Sequence, residues 1–205
     1  MLNNRHHAVE DPAVVAELVR AHPWATLVSP TPEGTVASHY PVLLDEEAEG
    51  LTLLTHLGRP DDVVHDLAAG GEMLVIFQGN HGYVSPSWYG PEATRAPTWN
   101  FTVAHCYGTP QVLTEEENLD VLTRLVAHFE QAVAEPLYLD REWAKPVARG
   151  TVGLRIPVDR FVCKRKLSAD KDPVSRRQAI AALRRPGPYH HPELAAEMER
   201  ELERE

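Results

Sequence analysis

Apolar and polar positions change period several times along the chain, and each change marks an element. In "DPAVVAELVRAHP", Val14, Val15, Leu18 and Val19 recur on one helical face. Asp11 stands as the cap, Pro12 at the first helical position and Pro23 beyond the end, so a short amphipathic helix is expected. The period then falls to two. "WATLVSP", "TVASHYPVLL" and "LTLLTH" read as strands divided by the turn-like "TPEG" and the acidic loop "DEEAEG", and strands this closely spaced pair antiparallel. "RPDDVVHDLAAGG" predicts a helix with Val63, Val64 and Leu67 inward and Gly70-Gly71 as its stop. "EMLVIF" is a continuous apolar run, as in a strand covered on both faces, and "HGYVSPSWYG" follows where that strand is expected to end.

Beyond it "GPEATRAP" reads as a loop, and "TWNFTVAHCYGTPQVL" as a long strand with Gly108 and Pro110 marking a bulge or an edge. Thr114 and Glu117 have capping-box spacing ahead of a helix expected to bury Leu119, Leu122, Leu125, Val126 and Phe129. A short helix is expected near "DREWAKPVA", and "GTVGLRIPVDRFVCKRKLS" gives one strand, or two broken at Pro157-Val158-Asp159. Pro173 starts the basic helix "PVSRRQAIAALRR", which "PGPYHH" ends. In the final "PELAAEMERELERE", Leu194, Met198 and Leu202 form a strip that either packs on a neighbour or frays in solvent. Six or seven locally connected strands with helices around them make a mainly β fold, a closed or partly open antiparallel barrel with peripheral helices. The expected division is a barrel domain over 1–170 and a C-terminal helical extension over 171–205.

Composition adds limits. With 205 residues, 43% hydrophobic and 24% charged, the chain can bury a full core without staples. Cys106 and Cys163 lie far apart in strand-like segments, which suits small buried hydrophobes in a reducing compartment better than a disulfide. The start "MLNNRHHAVEDP" has no apolar leader and no run approaches the ~18 apolar residues of a membrane span, so a soluble cytoplasmic protein without a membrane partner is expected. A net charge of −10 repels polyphosphate and makes DNA a doubtful partner. Against that, residues 164–185 carry eight Lys and Arg and only two Asp.

No GxGxxG or P-loop pattern, CxxC pair, HExxH or GxSxG occurs, which removes the enzyme classes that need them. The eleven histidines match no zinc or iron spacing, so no metal site is expected; the pair His190-His191 leaves haem binding as a third-ranked reading with nothing specific behind it. Ser38, His39, Thr55, His56 and Arg59 fall at the ends of neighbouring strands. They read either as rim residues hydrogen-bonded locally, or as hydroxyl, imidazole and guanidinium donors for a phosphate. "HGYVSPSWYG" and "PTWNF" would face them as an aromatic wall, with Ser85 in its lining, Trp88 and Trp99 bordering a planar ring, and Asn100 or Gln78 bonding its edge. Trp88 and Tyr89 could equally fill a subunit interface, which is compatible.

"EGTVASHYPVLLD", "LTLLTHLGRP", "LVIFQGNHGYVSPSWY", "PTWNFTVAHCYG" and "VGLRIPVDRF" with "KRKLS" occur in the order and spacing of a known family. From about Arg5 to Leu183 the chain resembles the PaiB-like family, FMN-binding negative transcriptional regulators within the FMN-binding split-barrel superfamily. The resemblance implies a six-stranded antiparallel Greek-key-type split barrel that forms a homodimer with FMN in the groove between subunits. It sets "SHYP" near the flavin phosphate and ribityl chain, "LLTH" with Arg59 on the next phosphate-side strand, and Trp88, Trp99, Asn100, Lys164 and Lys166 near the cofactor by motif position. The chain departs from the family pattern at Ala169-Asp170, where an acid disfavours a nearby phosphate, and at Pro60-Asp61-Asp62, which weakens the expected phosphate pocket. Two functions follow from the resemblance: flavin-dependent redox chemistry, for which no catalytic residue is identifiable, and negative regulation of transcription. The latter would act through a partner or the basic helix at 173–185, since no helix-turn-helix is recognisable.

Overall fold

A computed structural model of the chain describes Met1, residues 6–90 and residues 96–204. The chain forms two compact units, Pro12–Phe77 with His105–Phe161, and Met1–Asp11 with Gln78–Ala104 and Val162–Glu205.

In the first unit, α1 (Pro12–Ala21) follows its proline start and buries Val15, Leu18 and Val19. β2 (Trp24–Thr31) and β3 (Gly34–Pro41) pair antiparallel from Trp24↔Pro41 to Thr31↔Gly34, and β2 also pairs with the first half of β6 (Met73–Val84); β1 (Ala8–Val9) belongs to the other unit. The expected single strand "TVASHYPVLL" divides at Val42. Its last residues form β4 (Leu43–Leu44), which joins a separate four-stranded sheet in the order β4-β5-β9-β8. β5 (Thr52–Gly58) and β9 (Thr151–Pro157) run antiparallel along their full length, and β8 (Gln111–Val112) adds an edge. The expected long strand at 98–113 breaks at Thr109-Pro110, after β7 (Thr98–Gly108). A Cβ at Gly108 would stand 2.0 Å from the Pro157 carbonyl oxygen, so only glycine allows this approach.

The helix expected over 59–71 is corrected. It is two short turns, α2 (Asp61–Val64) and a 3-10 turn at Leu67–Ala69, separated by Asp66 in the left-handed region at φ 48°. Val63 and Val64 are exposed, and the inward residue is His65. In α3 (Glu115–Glu130) the Thr114–Glu117 capping box forms, and Leu119, Val121 and Leu125 are buried. Phe129, expected inside, is exposed in the last turn of α3, past the buried Val121 and Leu125 on the same face. α4 (Arg141–Ala148) packs Ala144 and Ala148 with Leu119.

In the second unit the strand order is β1-β10-β7-β6, and β10 (Arg160–Lys166) begins after a break at Val158-Asp159, the two-strand alternative of the sequence. β6 does not stop before "HGYVSP"; it continues to Val84, so His81 and Tyr83 are strand residues. The aliphatic strip of α6 (Pro192–Glu203) packs rather than frays. Leu194, Ala195 and Met198 join Val84, Tyr89 and Leu167, together with Ala179, Ile180 and Leu183 of α5 (Pro173–Leu183). Of the basic stretch singled out in the sequence, Arg176 on α5 is fully buried and Arg184 pairs with Glu199 of α6, while Arg177 and Arg185 are exposed. The loop expected at 90–97 lies largely at 91–95, outside the described residues. Both cysteines are buried and form no disulfide, and burial pushes the Cys163 thiol up to about 11.

Candidate functional site

Strand alternation decides which polar side chains meet at the end of β3. Ser38 and Tyr40, two apart, share a face, and His39 takes the other. Ser38 Oγ and Tyr40 OH each donate to the same atom, Asp61 Oδ2, both at 2.8 Å. Tyr40 OH accepts the amide of Gly58 at 3.1 Å, which ties this face to the end of β5. Burial raises the Tyr40 pKa, with the Gly58 amide opposing and Asp61 adding, so the hydroxyl stays a donor. Arg59 is ion-paired with Asp62, one residue further along α2. His56 meets the Tyr40 ring edge-on at 6.0 Å, its Nδ1 is buried without a hydrogen-bond partner, and burial lowers its pKa. Two hydroxyls and an imidazole thus meet at one strand end, with the Arg59–Asp62 ion pair on the adjoining turn, and the hydroxyls and guanidinium already hold carboxylate oxygens.

Two residues expected with them point elsewhere. His39 stacks on exposed Trp24 at 6.5 Å with the rings 18° apart, because it faces away from Ser38. Thr55 is fully buried and donates to the Pro41 carbonyl at 2.8 Å, which makes it a latch between β3 and β5.

The aromatic residues lie in the other unit and divide into an exposed and a packed set. Trp99 is 55% exposed, stacks on His81 at 6.4 Å and meets Tyr83 edge-on. Tyr83 in turn contacts Tyr189, whose ring meets Trp88. Gln78 is exposed, its Nε2 3.2 Å from His81 Nδ1. Trp88 packs against the cluster of Val84, Leu167 and α5–α6. Ser85 caps the 3-10 turn Pro86–Trp88 by accepting from the Ser87 amide. Asn100, expected at a ring edge, is fully enclosed: its Nδ2 lies 2.9 Å from Ser168 Oγ and 3.3 Å from Met198 Sδ. Lys164 Nζ stands 5.7 Å from the Phe101 ring centre, and Lys166 donates to Thr98 Oγ1. Burial lowers the Lys166 pKa, Lys164 and Lys171 add to that, and Asp170 opposes it.

Tyr40 and Asp61 are the residues that sequence reasoning missed as members of the strand-end cluster. The period-two rule could have found Tyr40, since it pairs with Ser38 on one face and separates both from His39. No spacing rule could have shown that Asp61, 21 residues on, closes the same cluster. Among the described residues no group of His, Cys, Asp or Glu could hold a metal ion.

Residues 1–160 match the family model described as "Putative FMN-binding domain". The chain is 24% identical over 204 residues to the Bacillus subtilis (strain 168) protein named "Protease synthase and sporulation protein PAI 2", with 98% of each chain covered. Among solved structures it is similar to the FAD and heme binding protein from Mycobacterium smegmatis, with a TM-score of 0.61 and 18% identity over 85% of this chain and 79% of that one. It is also similar to the flavocytochrome Anf3 from Azotobacter vinelandii, at 0.57 and 14% over 77% and 68%. Mainly antiparallel sheets with linear strand orders and helices at the periphery are the split-barrel architecture of these flavoproteins. The chain belongs to the FMN-binding split-barrel family that includes the PaiB-like proteins, and its cofactor is FMN.

Proposed function

We propose that this chain is a homodimeric flavoprotein that holds the FMN phosphate at the ends of β3 and β5, with Ser38, Tyr40, His56 and Arg59 as its donors. One observation carries the reading: Asp61 Oδ2 accepts from both the Ser38 and the Tyr40 hydroxyl. The carboxylate oxygen stands in for a phosphate oxygen in charge and in hydrogen-bonding direction, so the donors fit the group. His56 Nδ1, buried without a partner, is the kind of polar atom that a bound oxyanion satisfies. In the other unit, the exposed stack of Trp99 on His81 and Tyr83, with Gln78 beside it, is a flat aromatic surface with an amide edge. Lys164 and Lys166 supply positive charge in the same unit. Trp88, Ser85 and Asn100 act on this reading as packing and positioning residues.

Bound flavin supplies hydride and single-electron transfer, while this chain's side chains bind it, orient it and limit water around it. The name of the Bacillus relative ties that protein to protease synthesis and sporulation. A regulatory role here would act through a partner protein, the flavin's redox state or the exposed Arg177 and Arg185 beside the buried Arg176 of α5.

Purified protein is expected to show a flavin absorption band, to release FMN on denaturation and to sediment as a dimer. A colourless protein that takes up no added FMN overturns the flavin reading, and a monomer that binds FMN overturns the dimer alone.

A further inference from the structure

We infer that Asp61 and Asp62 are internal competitors for the phosphate-binding donors, and that they set how strongly this chain prefers a phosphorylated flavin over an unphosphorylated one. The inference rests on the phosphate position proposed above. Ser38 and Tyr40 each have a single hydroxyl hydrogen to give, and both go to Asp61 Oδ2 at 2.8 Å. Arg59, half exposed, is turned to Asp62, whose side chain is only 17% exposed. A phosphate that reaches these donors must take their hydrogen bonds from two carboxylates and then lie beside them, like charge against like.

The acids are also held in place. His65 ends α2, is 3% exposed, and its Nδ1 lies 2.9 Å from Ser29 Oγ on β2, while Asp66 beyond it breaks the helix. Asp61 and Asp62 therefore sit on an anchored turn and cannot withdraw without disturbing a buried contact. A neutral hydroxyl end of a ligand meets no such repulsion and can donate to the same carboxylates. The predicted result is a site that accepts FMN but discriminates weakly against riboflavin.

Flavin-stripped protein titrated with FMN and with riboflavin, followed by quenching of flavin fluorescence, tests this in Asp61→Asn, Asp62→Asn and Arg59→Ala. Asn keeps the shape and the acceptor oxygen while removing the charge. Asp61→Asn is expected to tighten FMN about five- to twentyfold and leave riboflavin within about twofold, the size of one partly screened unit charge at contact. Asp62→Asn should act in the same direction, and Arg59→Ala should weaken FMN about tenfold or more with riboflavin unchanged. If Arg59→Ala removes the preference for FMN but both Asn variants leave FMN affinity unchanged or weaker, competition is overturned: the phosphate position stands and the acids merely orient the donors. If Arg59→Ala leaves the ratio of the two affinities unchanged, the phosphate binds elsewhere and both readings fall.

Discussion

Ser168 shows how a motif residue can serve structure rather than ligand. It adopts φ 63°, a left-handed conformation rare for a non-glycine residue, and its hydroxyl lies 3.0 Å from Tyr89 OH and 2.9 Å from Asn100 Nδ2. The "PTWN" and "KLS" segments thus meet through a buried polar node. Asn100→Ala should remove that node's amide and leave the Ser168 and Tyr89 hydroxyls under-bonded, at a cost of about 1–3 kcal/mol in unfolding free energy measured by denaturant titration. Retained stability would show the node to be dispensable. Asn100 could not be placed from the sequence: an amide beside an exposed tryptophan suits a ligand edge as well as a core, and only its contacts with Ser168 and Met198 decide. Alternation on β3, by contrast, was readable in principle and separates Ser38 and Tyr40 from His39.

Elements were legible where their own residues fix them. The proline start of α1, the capping box of α3 and the proline start of α5 all stand where local chemistry puts them. The segment after Arg59 was not, because apolar Val63 and Val64 mimic an amphipathic helix while burial goes to His65. β6 was predicted too short, since "HGYV" is polar enough to look like a loop. Its Gly82 faces α6, and a Cβ there would stand 2.9 Å from Leu194 Cδ2. Leu194 is fully buried, so it has little room to yield. Gly82→Val is expected to push α6 off its strand and cost about 1–3 kcal/mol, read as a lowered denaturant midpoint. An unchanged midpoint would mean that α6 adjusts freely.

For the molecule as a whole, buried imidazoles set the direction of pH dependence. Burial holds His65 and His56 below the ordinary 6.5, with Asp61 partly opposing this at His65. As pH falls, the unfolded chain takes up these protons before the folded one does. The stability contributed by the neutral rings is complete above about 6.5 and is lost progressively as pH drops below it. Unfolding free energy should therefore decline between about pH 7 and about pH 5, and His65→Gln should flatten part of that decline. An identical slope in the variant would remove His65 as a source.

Among the described residues no helix is long and apolar enough to cross a membrane. By itself the sequence determined the capped helices and the main strands, the family through its motifs, and the donor types available for a phosphate, because periodicity, capping and motif spacing are local properties. Only the tertiary structure decided which donors share an acceptor, that two aspartates already occupy them, and that Asn100 and Arg176 lie inside. Those outcomes depend on contacts between residues distant along the chain, where packing and charge neutralisation settle what residue type leaves open.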